Sequence, residues 1–362
     1  MVEQPMMESP DDPQLAVLCD ELRARSGRLD WPGIWPGAQL RLLAEAGVFR
    51  WFLPVELGGL GWSEHDVVRG YLALSKACLT TTFILTQRTG AMQRIAASSN
   101  LALQSELLEP LASGSSFATV GISHLTTSRQ HLGRPAIAAR EVEGGFVLTG
   151  STPWVTGATF AQHVVLGATL DDGRQILVAL PTHLSGVQIP PAPPLVGLSS
   201  SHTGAVNLAE VFVDAHFLLA GPVPNVMQQG IGGRTGGLQT STLALGLAAA
   251  AIEILKREAA LRPNLLEATA AIEAEHDELV STLMALSLGH SSAIPAELRS
   301  SANSLVLRAS QAALVACKGA GYAADHPAGR YCREALFFLV WSCPQGVLDS
   351  NLCELAGLAT DA

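Results

Sequence analysis

Apolar positions recur at helix-like spacing near the start of the chain, at Leu15, Leu18 and Leu22 and again at Leu40, Leu42, Leu43 and Val48. This predicts helices through most of Pro13–Ala112. The glycines of Pro54-Val-Glu-Leu-Gly-Gly-Leu-Gly61 would destabilise any helix and predict a loop there. Ser63 is an expected N-cap for a second helical block that runs on through Ala73, Leu74, Ala77, Thr81 and Ile84.

Near Ser113 the pattern changes to short β-branched and aromatic runs at Phe117–Val120, Phe146–Thr149, His163–Leu166, Gln175–Leu180 and Val206–Val213. Gly144-Gly145, Asp171-Asp172-Gly173 and Pro190–Pro194 separate them, as expected of a small β barrel or sandwich. From Leu238 the chain returns to long alanine-rich helical segments, after a glycine-rich joint at Gly230, Gly232, Gly233, Gly236 and Gly237. The predicted order is helical (1–115), β (116–218) and helical (219–362).

Length and composition agree with several packed units. The chain has 362 residues, 48% hydrophobic and 15% charged, with a formal net charge of −10. An acidic chain without basic clusters argues against nucleic-acid binding. The longest apolar run, Leu243–Leu255, is broken by Glu253 and falls short of a membrane span. The polar start, Met1–Gln14, is unlike a signal peptide. Six cysteines without CxxC spacing argue against a zinc site or disulfide scaffold, so a reduced cytosolic setting is expected.

Several local motifs then fall in a telling order. Pro54–Ser63 precedes Phe146-Val-Leu-Thr-Gly150 and Trp154-Val-Thr156-Gly157. Val196-Gly-Leu-Ser-Ser-Ser-His-Thr203 leads into Val206–Val213. Lys318-Gly-Ala-Gly-Tyr322, Pro327 and Arg330-Tyr-Cys-Arg-Glu-Ala335 close the series. Over roughly Leu40–Leu358 this set resembles the acyl-CoA dehydrogenase family. The resemblance implies a mixed α and β fold: an N-terminal helical domain, a central small β barrel and a C-terminal four-helix bundle.

It further implies a flavin, FAD in most members, and a homodimer or homotetramer acting on an acyl thioester. By this resemblance Trp154 lies against the isoalloxazine and Thr156 near its N5 edge. Ile122 and Ser123, in Gly121-Ile-Ser-His124, meet the pyrimidine side, and Arg262 corresponds to an arginine that reaches the cofactor pyrophosphate across a subunit interface. Each has an ordinary structural reading beside it: barrel core for Trp154, plain strand residues for Thr156 and Ser123.

The catalytic pattern departs from the family. Removal of an α-proton needs a carboxylate base within reach. Aligned from Arg333-Glu-Ala335, the usual glutamate position is Ser342, in Ser342-Cys343-Pro344. The family's alternative base position falls at Gly236 or Gly237. Arg262-Pro-Asn-Leu lacks the usual Phe-Gly turn, Val315-Ala-Cys317 stands where a glutamine is expected, and Leu125–Gln130 replaces a substrate-binding Gly-Ser-Asp. Substitute bases are His124, otherwise a barrel-rim histidine, and Glu334, otherwise ion-paired on a helix surface. Cys343 reads as a buried, inert thiol, since no neighbour in sequence would lower its pKa. Three functions follow as expectations. They are α,β-dehydrogenation of an acyl thioester, a flavin-dependent monooxygenase or oxidase on the same scaffold, and a non-catalytic acyl-carrier-binding protein.

Overall fold

The computed structural model describes residues 6–29, 33–126, 135–229, 237–341 and 343–358. α1, α3 and α5 start where a side chain satisfies a free N–H group. Asp12 accepts from Gln14 N (2.9 Å) at the head of α1 (Pro13–Ser26). α2 (Gly37–Glu45) leads into a 3-10 turn, Val48–Phe52. The glycine-rich loop follows, with Gly58 and Gly61 at positive φ (77° and 59°). Ser63 then caps α3 (Glu64–Ala77) as its spacing predicts, accepting from Asp66 N at 3.1 Å. α4 (Leu79–Ala96) comes directly after, and α5 (Leu101–Ser113) is capped by Asn100 and ended by Gly114 at φ 80°.

α4 is the axis of the molecule and is buried on nearly every side, so its sequence shows no single apolar stripe. Its Arg88 is buried. The guanidinium donates to Ser116 O (2.8 Å) and to Leu111 O, and packs over the Phe49 ring at 4.0 Å. These contacts hold the end of α5 and the segment entering the first strand to one helix. Burial pulls the Arg88 pKa down to about 9, which leaves it a cation at neutral pH.

The central region is one mixed sheet of eight strands. β1 (Ala118–Gly121) is followed by a helical turn, α6 (Ser123–Thr126). β2 (Ile137–Val142), β3 (Gly145–Thr156), β4 (His163–Leu170), β5 (Gln175–Pro181), β6 (Val187–Gln188), β7 (Thr203–Asp214) and β8 (Leu218–Val223) complete it. The spatial order is β6-β7-β3-β2-β4-β5-β8, with β1 parallel to β4. The five predicted runs lie on β1, β3, β4, β5 and β7. The short edge strands β6 and β8 and the Ala-rich β2 carry too little apolar pattern to announce themselves. β8 continues to Val223, past the expected boundary at 218.

β4 and β5 are buried on both faces. Val164, Leu166, Ile176 and Val178 face the sheet's own core, whereas Val165, Leu177 and Ala179 join the helical core. This two-sided burial explains their unbroken apolar runs. Cross-links seat the sheet against the helices: Ser98 Oγ donates to Leu219 O (2.7 Å) and Ser200 Oγ to Leu29 O (2.6 Å).

The C-terminal helices are α7 (Gln239–Leu261), α8 (Leu266–Ser287), α9 (Pro295–Gly321), α10 (Pro327–Ala335) and α11 (Gln345–Leu355). α9 breaks its helical path at Lys318 (φ 53°), where the Lys-Gly-Ala-Gly turn was expected. Among the described residues no helix is long and apolar enough to cross a membrane. All six cysteines are free, and no group of side chains suited to a metal ion occurs among the described residues.

α7 meets α3 closely because Gly246 faces Ser75: a Cβ on Gly246 would strike the Ser75 side chain and lie 2.9 Å from Leu72 O. Gly246→Val should therefore lower the free energy of unfolding by about 1–3 kcal/mol, read as a lower denaturant midpoint. An unchanged midpoint would mean that the two helices can part at no cost.

Candidate functional site

A cavity of about 1500 Å³ opens where the helical domain, the sheet and α7 meet. From the sheet come Val120, Ile122 and Ser123 at the end of β1, Trp154 and Thr156 on β3, and the loop Leu195–Leu198. α4 contributes Thr86, Gln87, Thr89, Gly90, Gln93 and Arg94, which recur at helical spacing along one face. α3 adds Tyr71, and the start of α7 adds Gly237, Leu238, Gln239, Thr240 and Thr242. Phe337 and Trp341, stacked at 4.9 Å, close the far side with Phe83.

Four of the five expected cofactor residues are thus in one wall: Ile122, Ser123, Trp154 and Thr156. β3 and β7 lose register between Thr152 and Val155. Trp154 lies within that irregularity, with its side chain outside the sheet's core and 53% exposed on the cavity. Thr156 is buried, and its Oγ1 lies 2.9 Å from Thr203 Oγ1, which lies 2.8 Å from Ser201 Oγ. Three hydroxyls in a row can pass one donor or acceptor to the cavity edge.

The turn that holds Ser201 is bracketed by two non-glycine residues with left-handed backbone, Leu198 (φ 60°) and His202 (φ 46°). Such positions cost roughly 1–3 kcal/mol each and persist where surrounding contacts over-determine them. Here His202 Nε2 meets Gly33 O at 2.9 Å, and its ring sits edge-on to Trp35 and Phe160.

The remaining candidates lie elsewhere. Arg262 is outside the cavity wall, donating to Glu258 Oε2 (2.5 Å) and to Ala316 O. His124 is buried beside β4, its Nε2 3.0 Å from Gly167 O, and does not line the cavity. Burial holds its pKa below 6.5. Glu334, expected on a helix surface, is buried instead, with Arg330 Nε 3.7 Å from its carboxylate. The inward face of α10 places both there, since residues four apart share a face. Cys343 is half-buried, and that burial pushes its thiol pKa up. Ser342, Gly236 and residues 127–130 lie outside the described residues. Gly237 lines the cavity.

Among the described lining residues Glu64, exposed in the first turn of α3, is the one carboxylate, and there is no histidine, lysine or cysteine. The polar face of α4 and Gln239 were not foreseen. Their signal was available in a helix carrying Thr, Gln and Arg where burial is otherwise complete.

The comparisons with known proteins agree with this architecture. The family model for the acyl-CoA dehydrogenase N-terminal domain matches residues 16–115. A probable acyl-CoA dehydrogenase of Bacillus subtilis (strain 168), YngJ, is 24% identical over 337 residues, which are 87% of this chain and 88% of that protein. The oxygenase component of p-hydroxyphenylacetate 3-hydroxylase from Acinetobacter baumannii is 30% identical over 134 residues, 36% of this chain and 28% of its own. Butyryl-CoA dehydrogenase from Megasphaera elsdenii superposes with a TM-score of 0.81 at 17% identity, covering 95% of this chain and 97% of its own. The chain has the acyl-CoA dehydrogenase fold, and its residues 16–115 match that family's N-terminal domain.

His124 yields a pH test. Its folded pKa is depressed, so below the unfolded value of about 6.5 the unfolded chain binds the extra proton and stability falls as pH falls. His163, also depressed by burial, acts in the same sense. His124→Gln keeps a donor for Gly167 O. Denaturant titrations at neutral and mildly acidic pH should show a smaller acid loss in this variant than in the parent. Equal losses would place the effect elsewhere.

Proposed function

We propose that the chain is a flavin-dependent oxidoreductase that binds an acyl thioester in this cavity and oxidises it. The observation that carries the reading is Trp154, a large apolar face left bare on the cavity wall. An exposed indole at a sheet irregularity suits a flat ring that covers it. The residues beside it fit the same group: the Thr156–Thr203–Ser201 hydroxyls can meet a polar ring edge, and Ile122 and Ser123 lie in the adjoining wall.

A bound flavin supplies a two-electron acceptor. In this reading Trp154 shields one ring face from water and Thr156 holds the edge by hydrogen bonding. Ile122 and Ser123 set the ring's depth. Arg262 lies outside the cavity wall, its Nη2 shared between Glu258 and Ala316 O, so a pyrophosphate contact would be made across a subunit interface through its other donors. FAD is the form the family resemblance implies, and FMN is the comparison to make. The homodimer or homotetramer belongs to the same proposal.

A second reading, a flavin-dependent monooxygenase or oxidase, is favoured by one observation. The described wall offers hydroxyls, amides and aromatic rings, and Glu64 at its edge is the one carboxylate for an α-proton. Oxygen chemistry on a reduced flavin does not require that base. The partial similarity to a hydroxylase oxygenase component points the same way.

Incubation with FAD and FMN in parallel should give a yellow protein. Trp154→Ala should weaken flavin retention about tenfold, equivalent to ~1.4 kcal/mol, measured by equilibrium dialysis. Unchanged affinity removes the ring from Trp154. Anaerobic bleaching by members of an acyl-CoA series supports thioester oxidation. Flavin that no thioester bleaches, but that consumes oxygen after chemical reduction, selects the second reading. A protein that stays colourless with both flavins overturns both.

A further inference from the structure

The wall contributed by α3, α4 and α7 is poorly suited to a plain alkyl chain. Tyr71 and Thr89 are each 3% exposed, and both line the cavity. Gln239 Nε2 donates to Tyr71 OH at 3.3 Å, and Tyr71 OH donates to Thr89 Oγ1 at 3.4 Å. Both distances are at the long limit of hydrogen-bond geometry, so the three groups only loosely satisfy one another. Thr86, one turn earlier on the same face, shows the contrast: its hydroxyl donates to Phe83 O at 2.6 Å.

The chain of donors runs in one direction, from Gln239 through Tyr71 to Thr89. It leaves the Gln239 carbonyl oxygen at its head and the Thr89 hydroxyl proton at its tail, and neither has a side-chain partner among the described residues. An alkyl group packed against these groups would leave them desolvated, at about 1–3 kcal/mol for each unmet group. An alcohol oxygen carries both a donor and acceptor sites, so it can accept from the Thr89 hydroxyl at one end or donate to the Gln239 carbonyl at the other.

We propose that Tyr71, Thr89 and Gln239 form a subsite for a hydroxyl group on the acyl part of the substrate. The inference rests on the thioester reading above. A carboxylate fits less well, since the subsite has no cation and presents a carbonyl oxygen. The cation in the same wall is Arg94. It follows Thr89 by five residues, about 140° around the helix and about 7.5 Å along it, and its Nη1 donates to Gly90 O at 2.7 Å. Hydroxyl and carboxylate recognition would therefore depend on different residues.

The test uses flavin-loaded protein and calorimetric titration with butanoyl-CoA, 3- and 4-hydroxybutanoyl-CoA and succinyl-CoA. One hydroxylated thioester should bind at least about tenfold more tightly than butanoyl-CoA, as expected when buried polar groups gain a partner. In Tyr71→Phe, and independently in Gln239→Leu, the ratio of those two dissociation constants should fall toward one. Butanoyl-CoA binding as tightly as the hydroxylated ligands overturns the subsite and leaves the thioester reading intact. So does a ratio that survives in both folded variants. Tightest binding of succinyl-CoA, lost in Arg94→Met and kept in Tyr71→Phe, overturns the hydroxyl assignment in favour of an anionic one. A flavin-loaded protein that binds none of the four overturns the thioester reading, and the subsite with it.

Discussion

Arg88 is the constraint on which the site depends. A guanidinium buried in the middle of α4 has to be hydrogen-bonded, because an unpaired buried charge costs several kcal/mol. Its two terminal nitrogens meet that need with the carbonyl oxygens of Ser116 and Leu111, and its plane lies against Phe49 and Phe117, while Nε has no hydrogen-bond partner among the described residues. Those carbonyls belong to the end of α5 and to the segment entering β1. The same charge thus sets where the first strand leaves the helical domain, and where Val120, Ile122 and Ser123 come to lie. The cavity exists because α4 supplies one wall and, through Arg88, positions the opposite one.

The chemistry of the cavity follows from what each wall has to do besides face the ligand. The β3 wall is built around a sheet irregularity and a strained turn, which together free Trp154 and bury three hydroxyls in line. The helical wall is polar because Thr86, Gln87, Thr89, Gln93 and Arg94 of α4 face the cavity. A flat apolar ring and a polar substrate group suit these two walls, and neither wall by itself defines a reaction. Ser342 stands where the family resemblance implies a catalytic carboxylate, and Glu64 is the one carboxylate among the described lining residues. That is why the flavin reading is better supported than any particular oxidation.

Much of the fold was legible along the chain. Short β-branched and aromatic runs marked the strands whose pattern is strong, Ser63 marked the head of α3, and the glycines of Pro54–Gly61 marked a loop. β2, β6 and β8 were not legible: β2 centres on two alanines, β6 has two residues, and β8 is interrupted by Gly221-Pro222. Trp154 and Thr156, singled out by their motif, both line the cavity. Arg262 and Glu334 show the limit of that approach. Their identity suggested an outward-facing role, yet one guanidinium turns to its own helix and to α9, and the carboxylate is buried beside Arg330.

The sequence by itself determined the order of the three regions and their element types, because helical and strand periodicities are local properties of spacing. It also carried the resemblance to the acyl-CoA dehydrogenases, which depends on residue identity in motifs that fall in order along the chain. Tertiary structure decided which polar residues share a space. Tyr71, Thr89 and Gln239 come from three helices and are brought together by packing, including the approach of α7 to α3 that Gly246 permits. Hydrogen-bond partnership over such separations depends on distances of a few ångströms between elements, which no spacing along one chain encodes.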